Sequence, residues 1–595
     1  MVNSDFEKSE SLNGNVWRLT PADNRQAELI AQRFSLSPLV ARILTARNIS
    51  ENQVNDFLQP KLQNLMPNPF VLKDMEKAAK RIAQAIIHKQ KIAIIGDYDV
   101  DGATSTSVMR LFLESVGIEP LIHIPERDEG YGPSMPAVDK FYAQGAELII
   151  TVDCGTTAFE VLEYAAQKNI DVIVIDHHEA EMKLPKIYAI VNPKRLDDDS
   201  NIEYLKYMAA VGVVFLTVVA INRELREQNF YKYKTEPNLM NFLDLVALGT
   251  VCDVVPLLGL NRAYVRQGLK VMSLRQNVGL KALFDKSGVT EAPSAYHLGF
   301  VLGPRINACG RVGEASIGNK LLCTKDAFLA DNLAQKMNDF NDKRKEIEGY
   351  VLLKAIEILE GTPQEYPIAF VYGDDWHQGV IGIVAGKLKE RYNLPSFVMS
   401  IESDEVKGSA RSVAGVDIGA LIMSAKEKGI LTKGGGHTMA AGFSLNADRI
   451  DDFKKFAGEY VAERLGEEAI VPVIDADGII DVSGATYDLV EELSQLEPYG
   501  AQNSEPKVIM PKVRVSKASL VGTGGHVRCF LSSVSGGSLK AMAFKMADSE
   551  AGHALLNSHG RLFDVIGTLR PDNWMGRRGV QFFIEDVREA CILGY

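Results

Sequence analysis

Asp97, Asp99 and Asp101 stand two apart in the string Gly96-Asp97-Tyr98-Asp99-Val100-Asp101-Gly102. The spacing resembles the opening of a calcium-binding loop. The twelfth position of such a loop would be Val108, however, where a bidentate Glu is required, and the string follows a strand-like run instead of a helix. Asp97 and Asp99 can therefore aim at neighbouring points from a loop, and Asp101 is expected to cap the helix that follows. Two more strand-like runs end in the same kind of residue, one in Asp153 and one in Asp176-His177-His178. Carboxylates brought within about 4 Å of one another repel by roughly 4 kcal/mol at an effective dielectric near ~20. A cluster of this kind needs cations, and Asp and His donors without Cys suit Mg²⁺ or Mn²⁺ better than structural zinc.

The elements that must deliver these groups are legible as a pattern. KIAII (91–95), ELIITVD (147–153) and DVIVID (171–176) are continuous apolar runs alternating with helical stretches. That alternation predicts a parallel sheet covered on both faces, and open sheets of this kind place ligands at the carboxyl ends of their strands. A second α/β block begins near Pro367, with strands in PIAFVYG and PSFVMS and helices in GVIGIVAGKLKERY and DIGALIMSAKEKG. A charged helical connector spans 326–360. Short strands broken by glycines follow Lys507 and predict a small barrel. Phe530, Phe544, Phe563, Trp574 and Phe582 are its candidate stacking residues, and Gly524-Gly525-His526 reads as a hairpin turn.

The chain has 595 residues, which suggests three or four domains at about 150 residues each. It carries 65 Lys and Arg against 77 Asp and Glu, a net charge of −12, which excludes a protein that grips nucleic acid with its whole surface. The charge is unevenly spread: residues 451–497 balance to −10 and residues 507–579 to +7. A basic barrel of this kind fits an oligonucleotide-binding fold. Six scattered cysteines without CxxC spacing argue against a disulfide framework or a zinc ribbon. Cys154 and Cys252 flank candidate aspartates and are expected to be packing residues. The apolar run Met208–Ile221 is shorter than the about 20 residues a bilayer needs and reads as a buried helix. With a polar N-terminus, a cytoplasmic location is expected.

GDYDVDGATSTS, TVDCG and DHH, in that order, resemble the first three motifs of the DHH phosphoesterase superfamily, and Asp253 in VALGTVCDVVPL resembles the fourth. GPRINACGR (303–311), HQGVIGIVAGKL (377–388), GSARS (408–412), GGGHTMAAGF (434–443) and LEPYGAQNSEP (496–506) are similar to segments of the bacterial RecJ exonuclease family within it. The resemblance covers nearly all of the chain beyond its first ~50 residues. It implies a multidomain α/β architecture: an N-terminal helical segment (1–65), a DHH parallel-sheet catalytic domain (66–265), a helical connector (266–360), a smaller α/β domain of DHHA1 type that binds substrate (361–467), and an OB-fold β-barrel that binds nucleic acid (468–595).

The same resemblance makes Asp97, Asp99, Asp153, His177 and Asp253 ligands of two Mn²⁺ or Mg²⁺ ions. Asp176 and His178 would lie in or beside that shell, with His178 contacting the scissile phosphate as the alternative. Arg127 corresponds to a phosphate-binding position. Arg305, Asn307 and Arg311 would contact the strand, and Ser409, Arg411 and His437 would line the cleft across from the metals, where Gly434-Gly435-Gly436 lets backbone approach nucleic acid. Related small pyrophosphatases have a histidine four positions before the first aspartate. Ala93 stands there in this chain, which favours a polymeric substrate. The implied activity is 5′→3′ hydrolysis of single-stranded DNA to 5′-mononucleotides in repair and recombination, alongside single-stranded-DNA-binding protein and a helicase. A phosphodiesterase for short oligonucleotides or cyclic dinucleotides would leave the basic barrel without a use, and a non-catalytic binder would need no full ligand set.

Overall fold

The computed structural model describes residues 9–127, 129–198, 202–466, 471–572 and 578–590. The chain forms two compact units, one of Pro67–Val255 with Gln267–Ile470 and one of Met1–Met66, Pro256–Arg266 and Val471–Tyr595. Among the described residues no helix is long and apolar enough to cross a membrane.

The first unit is built on a five-stranded sheet, wholly parallel, in the spatial order Leu121–His123, Ile92–Ile95, Leu148–Val152, Asp171–Ile175, Ala189–Val191. The strands at Ile92, Leu148 and Asp171 are β-branched and buried almost throughout, because helices cover both faces. Phe141 and Leu162, from the helices Met135–Ala143 and Phe159–Gln167, pack with Ala93, Ile149 and Val174 on one face. Ala93 is thus a core residue of its strand. The strand order reverses between Ile92–Ile95 and Leu148–Val152, and the crevice beyond their carboxyl ends is where such sheets place ligands. The run from Met208 becomes the buried helix Ala210–Glu227, as its apolarity requires.

A helix with a π-turn at His297–Leu302 continues into Gly303–Val312, and the single long helix Ala327–Gly361 leads to a second five-stranded sheet. Its order is Lys433–His437, Ala440–Asn446, Glu405–Arg411, Ser396–Glu402, Ala369–Asp374, with only the last pair parallel. Glu348 on the long helix sits buried between Arg344 and Lys387 and ties that helix to Gln378–Tyr392.

The other unit contains a barrel. Val508–Val521, His526–Ser533, Gly536–Ala543, Gly579–Glu589 and Leu562–Asp572 pair in sequence, and the first closes on the last. The hairpin turn falls at Gly522–Gly525, with Gly522 at φ 68° and Gly525 at φ 67°, a region that favours glycine, and His526, expected in the turn, opens the next strand. The helices Asn24–Phe34 and Pro38–Ala46 share the barrel's hydrophobic core through Ile30, Val40 and Leu44. The strand Val16–Leu19 pairs with Val473–Ala476, and Trp17 Nε1 donates 2.9 Å to the fully buried Asp586.

Candidate active site

Each acidic group of the site is placed by the end of an element. Asp97 follows the Ile92–Ile95 strand, is buried, and has an Oδ1 with no hydrogen-bond partner. Asp99 is the N-cap of Val100–Ser115 and accepts 2.9 Å from Gly102 N. Gly102 is needed there because a Cβ would stand 2.5 Å from the Asp97 carbonyl oxygen. Asp153 leaves the Leu148–Val152 strand at φ 60°, a left-handed conformation that is strained for a residue with a Cβ and that tightly packed functional sites can hold. Asp253 caps the C-terminus of Leu243–Cys252, and its Oδ2 is also buried without a hydrogen-bond partner.

His177 joins the groups. Its Nε2 is 3.3 Å from Asp153 Oδ1 and 3.9 Å from Asp101 Oδ2, and its Nδ1 is 3.6 Å from Asp253 Oδ2. Three overlapping sets result: Asp97, Asp99 and Asp153; Asp101, His177 and Asp253; Asp153, His177 and His178. Within each set the ligand atoms lie within 4.8 Å of one another.

The electrostatics of this cluster are those of a cation socket. Burial, then neighbouring carboxylates, push Asp97 and Asp101 up to about 7 and Asp253 to about 9, and Asp153 rises well above the carboxylate range for the same reasons. Burial and the charge of His178 lower His177 to about 4, so it is a neutral imidazole able to ligate. Unpartnered carboxylate oxygens beside a neutral imidazole, with no thiolate, form a donor set that fits hard or borderline divalent ions. Cys154 Sγ faces the carbonyls of Val152 and Ile95, Cys252 Sγ that of Leu298, and burial raises both thiols, so neither is a nucleophile.

Asp176 is turned away from the socket. Its Oδ2 accepts from Thr156 N (3.0 Å) and Oγ1 (2.6 Å), and its Oδ1 from His177 N (2.8 Å) and His178 Nδ1 (2.7 Å). Burial alone would raise this carboxyl, but the hydrogen bond and charge of His178, with Thr156, hold it below the ordinary range. In return Asp176 outweighs burial and raises His178. Tyr131 donates to the Asp153 carbonyl at 2.8 Å and its hydroxyl lies 3.1 Å from His178 Nε2.

Asp101 departs from expectation. It does not cap its own helix, a role taken by Asp99. Buried, it accepts from Ala210 N (2.6 Å) and Val211 N (3.0 Å) and so caps the distant helix Ala210–Glu227.

Cationic groups gather in the same unit. Arg127 Nε donates 2.9 Å to Gly310 O, and its guanidinium lies 4.8 Å from the centre of the Tyr98 ring. Arg311 Nη1 donates 2.9 Å to Gly379 O at the start of Gln378–Tyr392. Burial lowers Arg311 to about 10, followed by the charges of Arg127 and Arg344 and, more weakly, Arg411. Arg411 Nη1 reaches Ser409 Oγ at 3.1 Å, and both side chains pack over Gly382, where a Cβ would stand 3.0 Å from Ser409 Oγ. The register aligns Arg411 with Ala440 and Ala440 with His437, so Arg411 and the exposed His437 share a row on one sheet face. Arg305 instead donates to Asn338 Oδ1 and Val301 O, and Asn307 is half-buried one turn before Arg311.

Three family models match: the DHH family N-terminal domain over residues 91–250, the DHHA1 domain over 365–463 and the RecJ OB domain over 476–586. The single-stranded-DNA-specific exonuclease RecJ of Dickeya dadantii is 35% identical, over 93% of this chain and 96% of its own length. The same protein of Bacillus subtilis is 33% identical over 96% of this chain and 70% of its own. The chain belongs to the RecJ family. A crystal structure of RecJ in complex with Mn²⁺ from Thermus thermophilus matches at TM-score 0.80 and 28% identity, over 97% of this chain and 80% of that one. A Mg²⁺ complex from the same source matches at TM-score 0.74 and 27% identity, over 97% and 78%.

Set against the RecJ motifs, the structure brings together Asp97, Asp99, Asp153, His177, His178 and Asp253. Around them Asp101 caps a distant helix, and the structure adds residues the motifs did not single out: Tyr131 and Thr156 as hydrogen-bond partners, and Arg344 acting on Arg311. Gly434–Gly436 lie in the strand Lys433–His437, and packing accounts for two of them: a Cβ at Gly434 would meet Ile422 at 2.6 Å, and one at Gly436 would meet Ala440 O at 2.4 Å. Gly435 alone faces open space. On the barrel, Phe563 and Phe582 are fully buried in the core and cannot stack on a ligand. Phe544 is 53% exposed and stacks at 5.5 Å on the half-buried Phe583, over which Arg570 lies. Phe530 is half-buried beside Lys517, and Trp574 lies outside the described residues.

Proposed function

We propose that this chain is a Mn²⁺- or Mg²⁺-dependent exonuclease specific for single-stranded DNA, degrading it 5′→3′ to 5′-mononucleotides in cytoplasmic DNA repair and recombination. The observation that carries this reading is the convergence of three strand ends and one helix end on a cluster of unpartnered oxygens and a neutral imidazole. In this reading Asp97, Asp99, Asp153, His177 and Asp253 hold two divalent ions. Such ions, when bound, supply a water of lowered pKa and neutralise phosphate charge.

The chain's own groups do the rest. Asp176 raises the pKa of His178 and fixes its ring through Nδ1, with Nε2 beside the Tyr131 hydroxyl, and the ring would contact an oxygen of the scissile phosphate. Arg127, Arg311, Ser409, Arg411 and His437 hold the phosphates of the strand, with guanidinium groups able to bind them bidentately. Arg305 and Asn307, on the helix Gly303–Val312 that carries Arg311, orient it. The basic barrel retains the strand by charge and by the Phe544–Phe583 stack. Single-stranded-DNA-binding protein and a helicase are the partners this role calls for, since they supply and present single strands.

Asp153→Ala, assayed in Mn²⁺, should abolish hydrolysis of a single strand while leaving its binding largely intact. Retained nuclease activity would sink the ligand assignment.

A further inference from the structure

Tyr296 and Phe300 are 63% and 72% exposed, and their rings stack at 5.2 Å between centroids with 24° between planes. They stand one above the other on a helix, and the structure gives a reason for their outward aim. The π-turn His297–Leu302 widens the helix at this point, and such insertions occur frequently at functional sites. Gly299 and Gly303 face the helix that ends in Asp253: a Cβ at Gly303 would stand 2.6 Å from Cys252 Sγ, and one at Gly299 3.5 Å from Val251 Cγ1. Cys252 Sγ also donates to Leu298 O at 3.3 Å. The segment carrying the rings is therefore packed against the residue before Asp253. His297 fixes the near end of the pair, bonded to Ser294 Oγ at 2.9 Å and Glu291 at 3.1 Å and lying edge-on to Tyr296.

We propose that the Tyr296–Phe300 pair is a stacking platform for unpaired bases of the strand as it approaches the site at Asp253. The proposal rests on the single-strand reading above and names a contact that no phosphate-binding residue provides. A nucleobase is the occupant this surface fits. It offers a flat π-face, which two near-parallel exposed rings can extend by one more layer. A duplex keeps its bases stacked on one another and offers them only at its ends, so the platform discriminates in favour of single strands. The same helix continues to Arg311, which would hold the backbone of the strand whose bases the rings hold.

The test uses the full chain loaded with Mn²⁺ and two substrates, a long oligothymidylate and a strand of equal length made largely of abasic residues. The variant with Tyr296→Ala and Phe300→Ala should raise KM for oligothymidylate about tenfold, the lower range for loss of base–aromatic stacking. It should leave KM for the abasic strand unchanged. Tyr296→Trp with Phe300→Trp should keep KM near wild type, which separates lost stacking from lost folding. A strand carrying 2-aminopurine should be quenched on binding by wild type and not by the alanine variant. An unchanged KM for oligothymidylate, or an equal rise on both substrates, overturns the platform while leaving the nuclease reading standing. Failure of the wild type to hydrolyse either strand overturns both.

Discussion

Asp176 has both carboxylate oxygens engaged by its neighbours, so its contribution passes through His178. Removing its charge while keeping its shape separates the two residues. In Asp176→Asn His178 loses its neighbouring carboxylate charge, its pKa falls from the raised position, and the ring releases its proton at lower pH. Activity on a single strand should drop by about ten- to a hundredfold, the usual cost of disturbing an outer-shell partner. The alkaline limb of the kcat–pH profile should also move to lower pH. An unmoved limb would show that His178 is not the group reporting there. Asp101 teaches the complementary point about legibility. Asp97, Asp99, Asp153 and His177 could be picked out because they follow strand-like runs, whereas Asp253 was marked by its resemblance to the fourth DHH motif. The role of Asp101 could not be read, because its partners, Ala210 N and Val211 N, lie 109 and 110 residues further along the chain, and local spacing carries no such information.

At the scale of elements, the turn between the Ile92–Ile95 strand and its helix sets the separation of Asp97 and Asp99. Gly102 permits that turn, and Gly102→Ala would drive a methyl into the Asp97 carbonyl at 2.5 Å. The strand end has to move to relieve it, taking both carboxylates along. Mn²⁺ affinity measured calorimetrically should fall at least about tenfold, since displacements near ~1 Å are costly in preorganised sites. Wild-type affinity in this variant would show that the loop absorbs the clash elsewhere. Elements were largely readable because their periods differ: continuous apolar runs gave the parallel sheet, and glycine-broken runs gave the barrel. Facing was less readable. Phe582 and Phe583 are adjacent, and the alternation of a strand puts one in the core and one outside without stating which. The core took Phe582, leaving Phe583 to stack with Phe544.

Over the whole molecule the net charge of −12 is an average of unlike parts, and its most consequential part is the buried carboxylate cluster. Without metal this cluster opposes folding in a pH-dependent way whose sign follows from the raised pKa values. An unfolded Asp releases its proton near about 4. The folded chain holds protons on Asp97 and Asp101 up to about 7 and on Asp253 up to about 9. Between those limits the folded state binds more protons than the unfolded one, so its stability is greatest below the unfolded value and declines as pH rises through the folded values. The unfolding midpoint of the EDTA-treated chain should therefore fall steadily from about pH 5 to about pH 8. Divalent ions bind the ionised carboxylates and compete with those protons, so their effect runs the other way. The midpoint gained on adding Mn²⁺ should be small near about pH 5 and grow with pH, as mass action on a tightening site requires. A metal-induced gain that is flat with pH would mean that the ions bind somewhere other than this cluster. A gain that appears in wild type and vanishes in Asp153→Ala would place them in it.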